Sequence, residues 1–278
     1  MVHKDILDVI NIWSEIKLEI IKKYAHAYST IISTQAEPEF KHTYIDAFAG
    51  PGLHISKRSG ELVPGSPLNA LNVEPKFAEY HFIDLDNRKV EALREIADQQ
   101  SNVWVYEEDC NEVLIEKVFP RVKYEDYKRG LCLLDPYGLD LDWKIIQTAG
   151  EMKSIEIFLN FPIHDINRNV LFHDPSNVSE AQKERMTRYW GGETWKDAAY
   201  SSKYDLFGKE EKVRNEILAE EFRKRLMEKA GFRYVPKPLP MRNSKKADIY
   251  YLFFASPKPV AAKIIDDIFN KYRRNGLI

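Results

Sequence analysis

A chain of 278 residues, 44% hydrophobic and 30% charged, has the make-up of one large α/β domain with a substantial core, or of two domains at most. Its formal charge of -2 supplies no general pull toward nucleic acid or anionic membrane, so any basic surface has to be local. Its two cysteines, Cys110 and Cys132, exclude a disulfide scaffold and fit a reducing, cytoplasmic setting. The seven histidines are scattered without zinc spacing, so no metal site is expected. The longest apolar runs are strand-sized, short of the ~20 residues of a membrane-spanning helix, and no signal peptide is seen at the N-terminus.

Residues Asp5 to about Ser29 carry Ile6, Val9, Ile10, Trp13, Ile16, Ile20, Ile21 and Tyr24 at helical spacing. This predicts an amphipathic helix packed on the core, with no chemistry of its own. Residues 1–37 thus read as a helical extension ahead of the sheet. Thr43–Ile45 predicts the first strand, ended by Asp46, and Gly50-Pro51-Gly52 turns the chain sharply. Glycines there let backbone N–H groups approach a ligand, and a strand running into such a turn is where open α/β sheets hold a nucleotide or cofactor. Leu53–Pro67, with Gly60, Pro64, Gly65 and Pro67, reads as a long extended loop, either a cover over a site or a plain surface insertion. A short helix, Leu68–Asn72, follows Ser66 as its cap.

Further strands are predicted at Glu79–Leu85, Asn102–Tyr106, Gly130–Leu134 and Ser154–Phe161. Between them lie helices at Asn87–Asp98, through Val113 to Phe119, and at Trp143–Thr148. Apolar strands alternating with helices are the mark of a mostly parallel sheet covered on both faces. Right-handed crossovers gather the strand C-terminal ends on one edge, with Asp46, Asp84, Asp109 and Asp135. Residues 163–210 are polar and aromatic-rich and read as an insertion or lid, with a helix at Ser179–Tyr189, inside a single domain spanning 1–278. A helix at Lys209–Lys229 comes next. Strands Phe232–Pro236 and Asp248–Ala255, joined by the basic loop Lys237–Lys246, predict a closing antiparallel hairpin, and a helix over Pro259–Arg274 ends the chain.

Taken together, these stretches resemble class I S-adenosylmethionine-dependent methyltransferases, whose Rossmann-like fold is a seven-stranded, mostly parallel sheet with helices on both faces and a closing hairpin. Asp46-Ala47-Phe48-Ala49-Gly50-Pro51-Gly52 is similar to their first motif, which implies that Asp46, Phe48, Gly50 and Gly52 lie at the amino acid part of the cofactor. Asp84 is similar to the acid that binds the ribose hydroxyls, with Asp86 as its rival. Glu108-Asp109-Cys110 resembles the adenine-binding motif, placing Asp109 and Cys110 at the base. Asp135-Pro136-Tyr137-Gly138 resembles the motif beside the transferred methyl. A dinucleotide fingerprint fits less well: Ile55 stands where the third glycine belongs, and Asp84 comes too late after the turn. There is also no G-x-x-x-x-G-K-[ST] loop for a triphosphate. In finer detail, YIDAFAGPG, GSPL at Gly65–Leu68, LLDPYG and YYLFFAS in that order resemble the three-Cys-motif partner protein family (TcmP). That resemblance implies a partner protein bearing the three-cysteine motif.

DPYG is similar to the [DNS]-P-P-[YFW] signature of amino-methyltransferases but lacks its second proline, and is closer to the D-P-F-G of tRNA guanine-N2 methyltransferases. It implies Asp135, Pro136 and Tyr137 as catalytic residues acting on an amino nitrogen of a nucleic acid base or nucleotide. Asp135 and the Pro136 carbonyl would accept the amine's hydrogens while Tyr137 stacks on the ring. The other reading of the same residues is a non-catalytic, methyltransferase-like subunit of another protein. Lys183, Arg185 and Arg188 near Tyr189 and Trp190, with Arg242, Lys245 and Lys246, form the expected nucleic acid contacts. His164, Asp165 and Arg168 follow the fifth strand near the same rim.

Overall fold

A computed structural model describes residues 6–35, 37–98, 100–172, 174, 177–204 and 210–274, with backbone alone at 201–204 and 210–211. Its centre is a seven-stranded sheet. Counting only the strands of this sheet, they are β1 (Lys41–Asp46), β2 (Glu79–Asp84), β3 (Val103–Glu107), β4 (Lys128–Leu134), β5 (Ile155–Phe161), β6 (Leu239–Arg242) and β7 (Asp248–Ala255). Their spatial order is β6-β7-β5-β4-β1-β2-β3. The five strands β1 to β5 are mutually parallel, and β7 runs antiparallel to both β5 and β6. This is the Rossmann-like class I methyltransferase fold. The strand order reverses at β1 and β4, and at such a switch point open α/β sheets form their ligand crevice.

The central strands form because they are apolar on both sides: β5 is buried throughout, and so is β4 from Arg129 onward. One face is covered by helices Ile12–Ser33, Ser66–Leu71, Asn87–Ala97 and Pro259–Arg274, packed through Ile20, Tyr24, Leu93, Ile265 and Phe269. The other face carries helices Trp143–Met152, Ile163–Asn169, Glu180–Trp190 and Asn215–Glu228. Residues of the 163–210 stretch, Met186, Tyr189, Trp190 and Trp195, are buried in that main core, with Tyr189 stacked on Phe222 at 5.8 Å. No helix among the described residues is long and apolar enough to cross a membrane.

Several local expectations are corrected. Asp8–Ile10 is not helical: it is a short strand, parallel to Leu53–Ser56, and the helix begins only at Ile12. Residues 53–67 are not an open loop, because Leu53–Ser56 and Leu62–Pro64 pair antiparallel and complete a small three-stranded sheet with Asp8–Ile10. Ser66 does not cap the next helix from outside; Gly65 holds the cap position and Ser66 is the helix's first residue. The edge strand of the closing hairpin is Leu239–Arg242, inside the predicted basic loop, while residues 232–236 contribute a single bridge, Tyr234 to Ser256. Leu239 and Met241 alternate inward there, and Pro240 is tolerated because an edge strand has an unpaired side. Of the helix predicted from Lys209, that residue lies outside the described ones, Glu210–Lys212 is instead a short strand antiparallel to Tyr200–Tyr204, and the helix spans only Asn215–Glu228.

Candidate functional site

The C-terminal ends of β1, β2, β3 and β4 bring the four acids to one rim, each held differently. Asp46 is the last residue of β1 and fully buried. One of its oxygens accepts the Phe48 N–H at 3.3 Å, and Oδ2 has no hydrogen-bond partner among the described residues. The Ser66 hydroxyl lies close enough to Asp46 to favour its charged form, without meeting hydrogen-bond geometry. Burial pushes the Asp46 carboxyl up to about 7; Asp135 adds to the rise, and Ser66, the Phe48 amide and Lys17 oppose it.

The glycine turn follows directly. Gly50 and Gly52 have φ of +65° and +79°, a left-handed backbone that side chains with a Cβ resist. The Gly50 N–H donates to Asp84 Oδ2 at 2.9 Å, and Asp84 Oδ1 accepts the Asp86 N–H at the same distance. Asp84 therefore ties the turn after β1 to the one after β2. Asp86 caps the helix Asn87–Ala97 through the Arg88 N–H at 3.0 Å, and Arg88 holds its carboxyl below the usual range. Asp109 caps the turn at Cys110, accepting the Asn111 N–H at 2.8 Å. The Cys110 side chain points into the core, where burial pushes its thiol up to about 12.

Asp135 follows β4 and forms an ion pair through Oδ2 with Lys17, whose side chain is 9% exposed. Lys17 comes from the helix Ile12–Ser33, which the sequence reading left without chemistry. Its place between Ile16 and Leu18, on the stripe of Trp13, Ile20 and Tyr24, is the signal that marks it: a lysine there faces inward. The ammonium also lies 5.2 Å from the centre of the Tyr250 ring. The Pro136 carbonyl accepts from Asn160 Nδ2 at 3.3 Å. Tyr137 is 74% exposed, with its hydroxyl 3.4 Å from Asp8 Oδ2 and Lys89 Nζ 5.4 Å from the centre of its ring.

A cavity of about 310 Å³ brings together Phe48, Gly50, Asp135 and Tyr137 with Lys17, His54 and Ser66. Asp8–Asn11 form its outer wall. Asp46, Gly52, Asp84, Asp86, Asp109, Cys110 and Pro136 do not line it, although Asp84 reaches it through Gly50. No sequence motif marks His54; burial lowers its pKa, and its Nδ1 is buried without a partner among the described residues. Among the expected nucleic acid contacts, Lys183 pairs with Glu180, Arg185 with Asp140, Arg188 with Asp142 and Arg242 with Asp248, whereas Lys245 and Lys246 are exposed in the turn between β6 and β7. Asp165 Oδ2 is buried and unpartnered beside Gly138.

No protein-family model and no curated protein matches the chain. Among solved structures, protein LPL1258 of the DUF519 family from Legionella pneumophila is similar over 94% of this chain and 91% of its own, with TM-score 0.58 and 13% identity. At that identity the likeness concerns the fold alone. A candidate methyltransferase from Thermobifida fusca (TM-score 0.41, 12% identity, 86% of this chain and 81% of its own) and yhhF from Escherichia coli, another candidate methyltransferase (0.32, 16%, 51% and 70%), are too distant to bear on it.

Proposed function

We propose that the protein is an S-adenosylmethionine-dependent methyltransferase acting on an amino nitrogen of a nucleic acid base or nucleotide. The observation that carries this reading is the cavity at the β1/β4 switch point, where the left-handed Gly50 turn faces Asp135 and Tyr137. The residues fit the cofactor: the turn offers close backbone approach, and the unpartnered Asp46 oxygen and the Ser66 hydroxyl lie behind it. Phe48, Gly50 and Ser66 would hold the amino acid portion, and Asp84 the ribose. When bound, S-adenosylmethionine supplies an electrophilic methyl on a sulfonium.

The chain's own residues would align the nucleophile. Lys17 engages Asp135 Oδ2, which leaves Oδ1 to accept one hydrogen of an exocyclic amine. The Pro136 carbonyl, bonded to Asn160 and outside the cavity lining, would take the other hydrogen through its second lone pair only where the substrate draws the turn after β4 toward it. Accepting both hydrogens turns the nitrogen lone pair out of the ring's π system and toward the methyl. Asp135 is then the nearest base for the proton that the nitrogen sheds. The exposed Tyr137 ring offers a face for the base.

A relation to the three-Cys-motif partner family, and with it a partner protein, is part of the same proposal, supported by the order DAFAGPG, GSPL, DPYG. The second reading, a methyltransferase-like subunit without transfer of its own, is favoured by the Lys17–Asp135 pair, since that ammonium already occupies one acceptor oxygen.

Calorimetry with S-adenosylmethionine and transfer of labelled methyl to RNA, DNA and nucleotides decide between them. Saturable binding is expected, with transfer falling about 100-fold or more in Asp135→Asn while binding persists. No heat at millimolar cofactor overturns the cofactor assignment. Full transfer in Asp135→Asn overturns the role of Asp135.

A further inference from the structure

We propose that a basic groove beside the candidate site binds the sugar–phosphate backbone of a single-stranded nucleic acid. The groove encloses about 990 Å³. One wall is the turn carrying Lys57 and Arg58, between strands Leu53–Ser56 and Leu62–Pro64. The other is the turn between β6 and β7, with Lys245 and Lys246. The floor is Asn11, Ile12 and Trp13. No acidic side chain among the described residues lines it. Arg242 at its margin is neutralised by Asp248 at 2.8 Å, whereas Lys57, Arg58, Lys245 and Lys246 are exposed and have no carboxylate partner among the described residues.

Four unneutralised cations around one depression, on a chain of net charge -2, make a local field that a polyanion relieves by releasing counterions. The backbone of both turns is braced by hydrogen bonds, which lowers the ordering needed on binding. Asn243 Oδ1 accepts the N–H groups of Lys245 and Ala247 at 2.9 and 3.0 Å. On the opposite wall the Lys57 N–H donates to the Ile10 carbonyl at 2.9 Å, and Ser56 Oγ donates to Glu15 at 2.7 Å. The half-buried Trp13 and the exposed Ile12 between cationic walls suit a strand with free base faces, which a duplex withholds.

The groove adjoins the candidate site. Asn11 lines both cavities, and the Trp13 carbonyl accepts the hydroxyl of Tyr250, whose ring lies against the Lys17 ammonium paired with Asp135. A strand seated there presents a neighbouring base to Asp135 and Tyr137. This delivery rests on the methyltransferase reading; the binding does not. The helix Glu180–Trp190 is the weaker candidate surface, because Lys183, Arg185 and Arg188 are already paired with acids.

Fluorescence anisotropy with labelled oligouridylate, the matching single-stranded DNA and a duplex tests it, alongside flotation with equimolar phosphatidylserine–phosphatidylcholine vesicles. Binding of the single strands with a log–log salt slope of about -3 is expected, as four phosphate contacts require. The variant Lys57→Glu/Arg58→Glu/Lys245→Glu/Lys246→Glu should bind about 10-fold more weakly or worse, and its slope should collapse. Lys183→Glu/Arg188→Glu should stay within about threefold of the parent. Circular dichroism and the milder Lys245→Gln/Lys246→Gln variant, with its slope reduced by about half, guard against misfolding. Unchanged affinity in the fourfold variant, or tighter binding to duplex or vesicles, overturns the proposal. Cofactor calorimetry on the same proteins separates the two claims: a parent that binds RNA through this groove but no S-adenosylmethionine leaves the groove standing and removes the methyltransferase reading.

Discussion

Lys17 and Asp135, 118 residues apart, meet as an ion pair between the helix Ile12–Ser33 and the end of β4. Asp135 also raises the pKa of Asp46, so a second carboxylate sits close by, and one ammonium serves both. Removing it leaves that pair of acids uncompensated. Lys17→Met should lower the unfolding free energy by about 2 kcal/mol at neutral pH, less than a wholly buried pair would lose because the Asp135 side chain keeps 22% exposure. In urea denaturation, Lys17→Met and Asp135→Asn combined should be less damaging than the two singly by about 1 kcal/mol. Additive effects would mean that the pair contributes nothing.

Asp84 and Asp86 sit two residues apart with different attachments, which makes the ribose assignment testable. Asp86→Ala removes a helix cap and should cost about 1 kcal/mol of stability, with cofactor affinity kept within about threefold. Asp84→Ala frees the Gly50 N–H and should weaken S-adenosylmethionine binding about 10-fold or more. Calorimetry on both variants reads this directly, and the reverse pattern would move the ribose contact to Asp86.

The parallel core was legible because β4 and β5 are mostly apolar and β1 and β2 carry aromatic and β-branched residues, each run ending in an acid or a proline, and such runs alternating with helices have few other homes. What escaped the sequence was short or polar. Val9 and Ile10 fit the helical stripe of Trp13 and Ile16 as well as they fit a three-residue strand, and only the pairing with Leu53–Ser56 decides. In Leu239–Arg242 a proline and an arginine mask the two buried positions. Lys17 and Asn160 line or brace the site from within a helix and a strand that carry no motif, while His54 and Ser66 sit in the stretch read as an extended loop, where no spacing singles them out. The acids of the rim were visible as a set, but that Asp86 and Asp109 cap helices depends on which N–H groups come within reach.

The Gly50 turn separates strain from collision. A Cβ at Gly50 would meet nothing nearer than His54 Cε1 at 3.7 Å, so the penalty of Gly50→Val lies in the left-handed backbone at φ +65°. We expect a loss of about 1–2 kcal/mol in stability and about 10-fold in cofactor affinity as the turn relaxes away from Asp84. Gly60→Val is the control: φ there is +73°, with open space around it. It should lose comparable stability in thermal melts while binding S-adenosylmethionine normally. Equal loss of affinity in both variants would deny the Gly50 turn a specific role.

At the opposite end of the sheet, Glu156 near the start of β5 gives the protein a pH dependence unconnected with the site. Its carboxylate is buried, accepting from Tyr24 Oη at 2.5 Å and from Ser256 Oγ at 3.0 Å. Burial pushes it from 4.5 up to about 7, against the two hydroxyls and Lys258, which favour the charged form. A carboxyl whose folded pKa is raised binds its proton more tightly in the native state. The stability it confers is therefore fully present below 4.5 and is lost as pH rises to about 7. Asp46, raised from 3.8 to about 7, has the same sign. Urea midpoints should thus fall between about pH 4 and pH 7 through these two groups. Glu156→Gln removes one contribution: relative to the parent it should gain on the order of 3 kcal/mol on going from acid to mildly alkaline pH. Glutamine keeps an acceptor for one hydroxyl and offers its NH₂ to the other, so the fold survives the change. A constant offset between Glu156→Gln and the parent across that range would show that Glu156 does not titrate there.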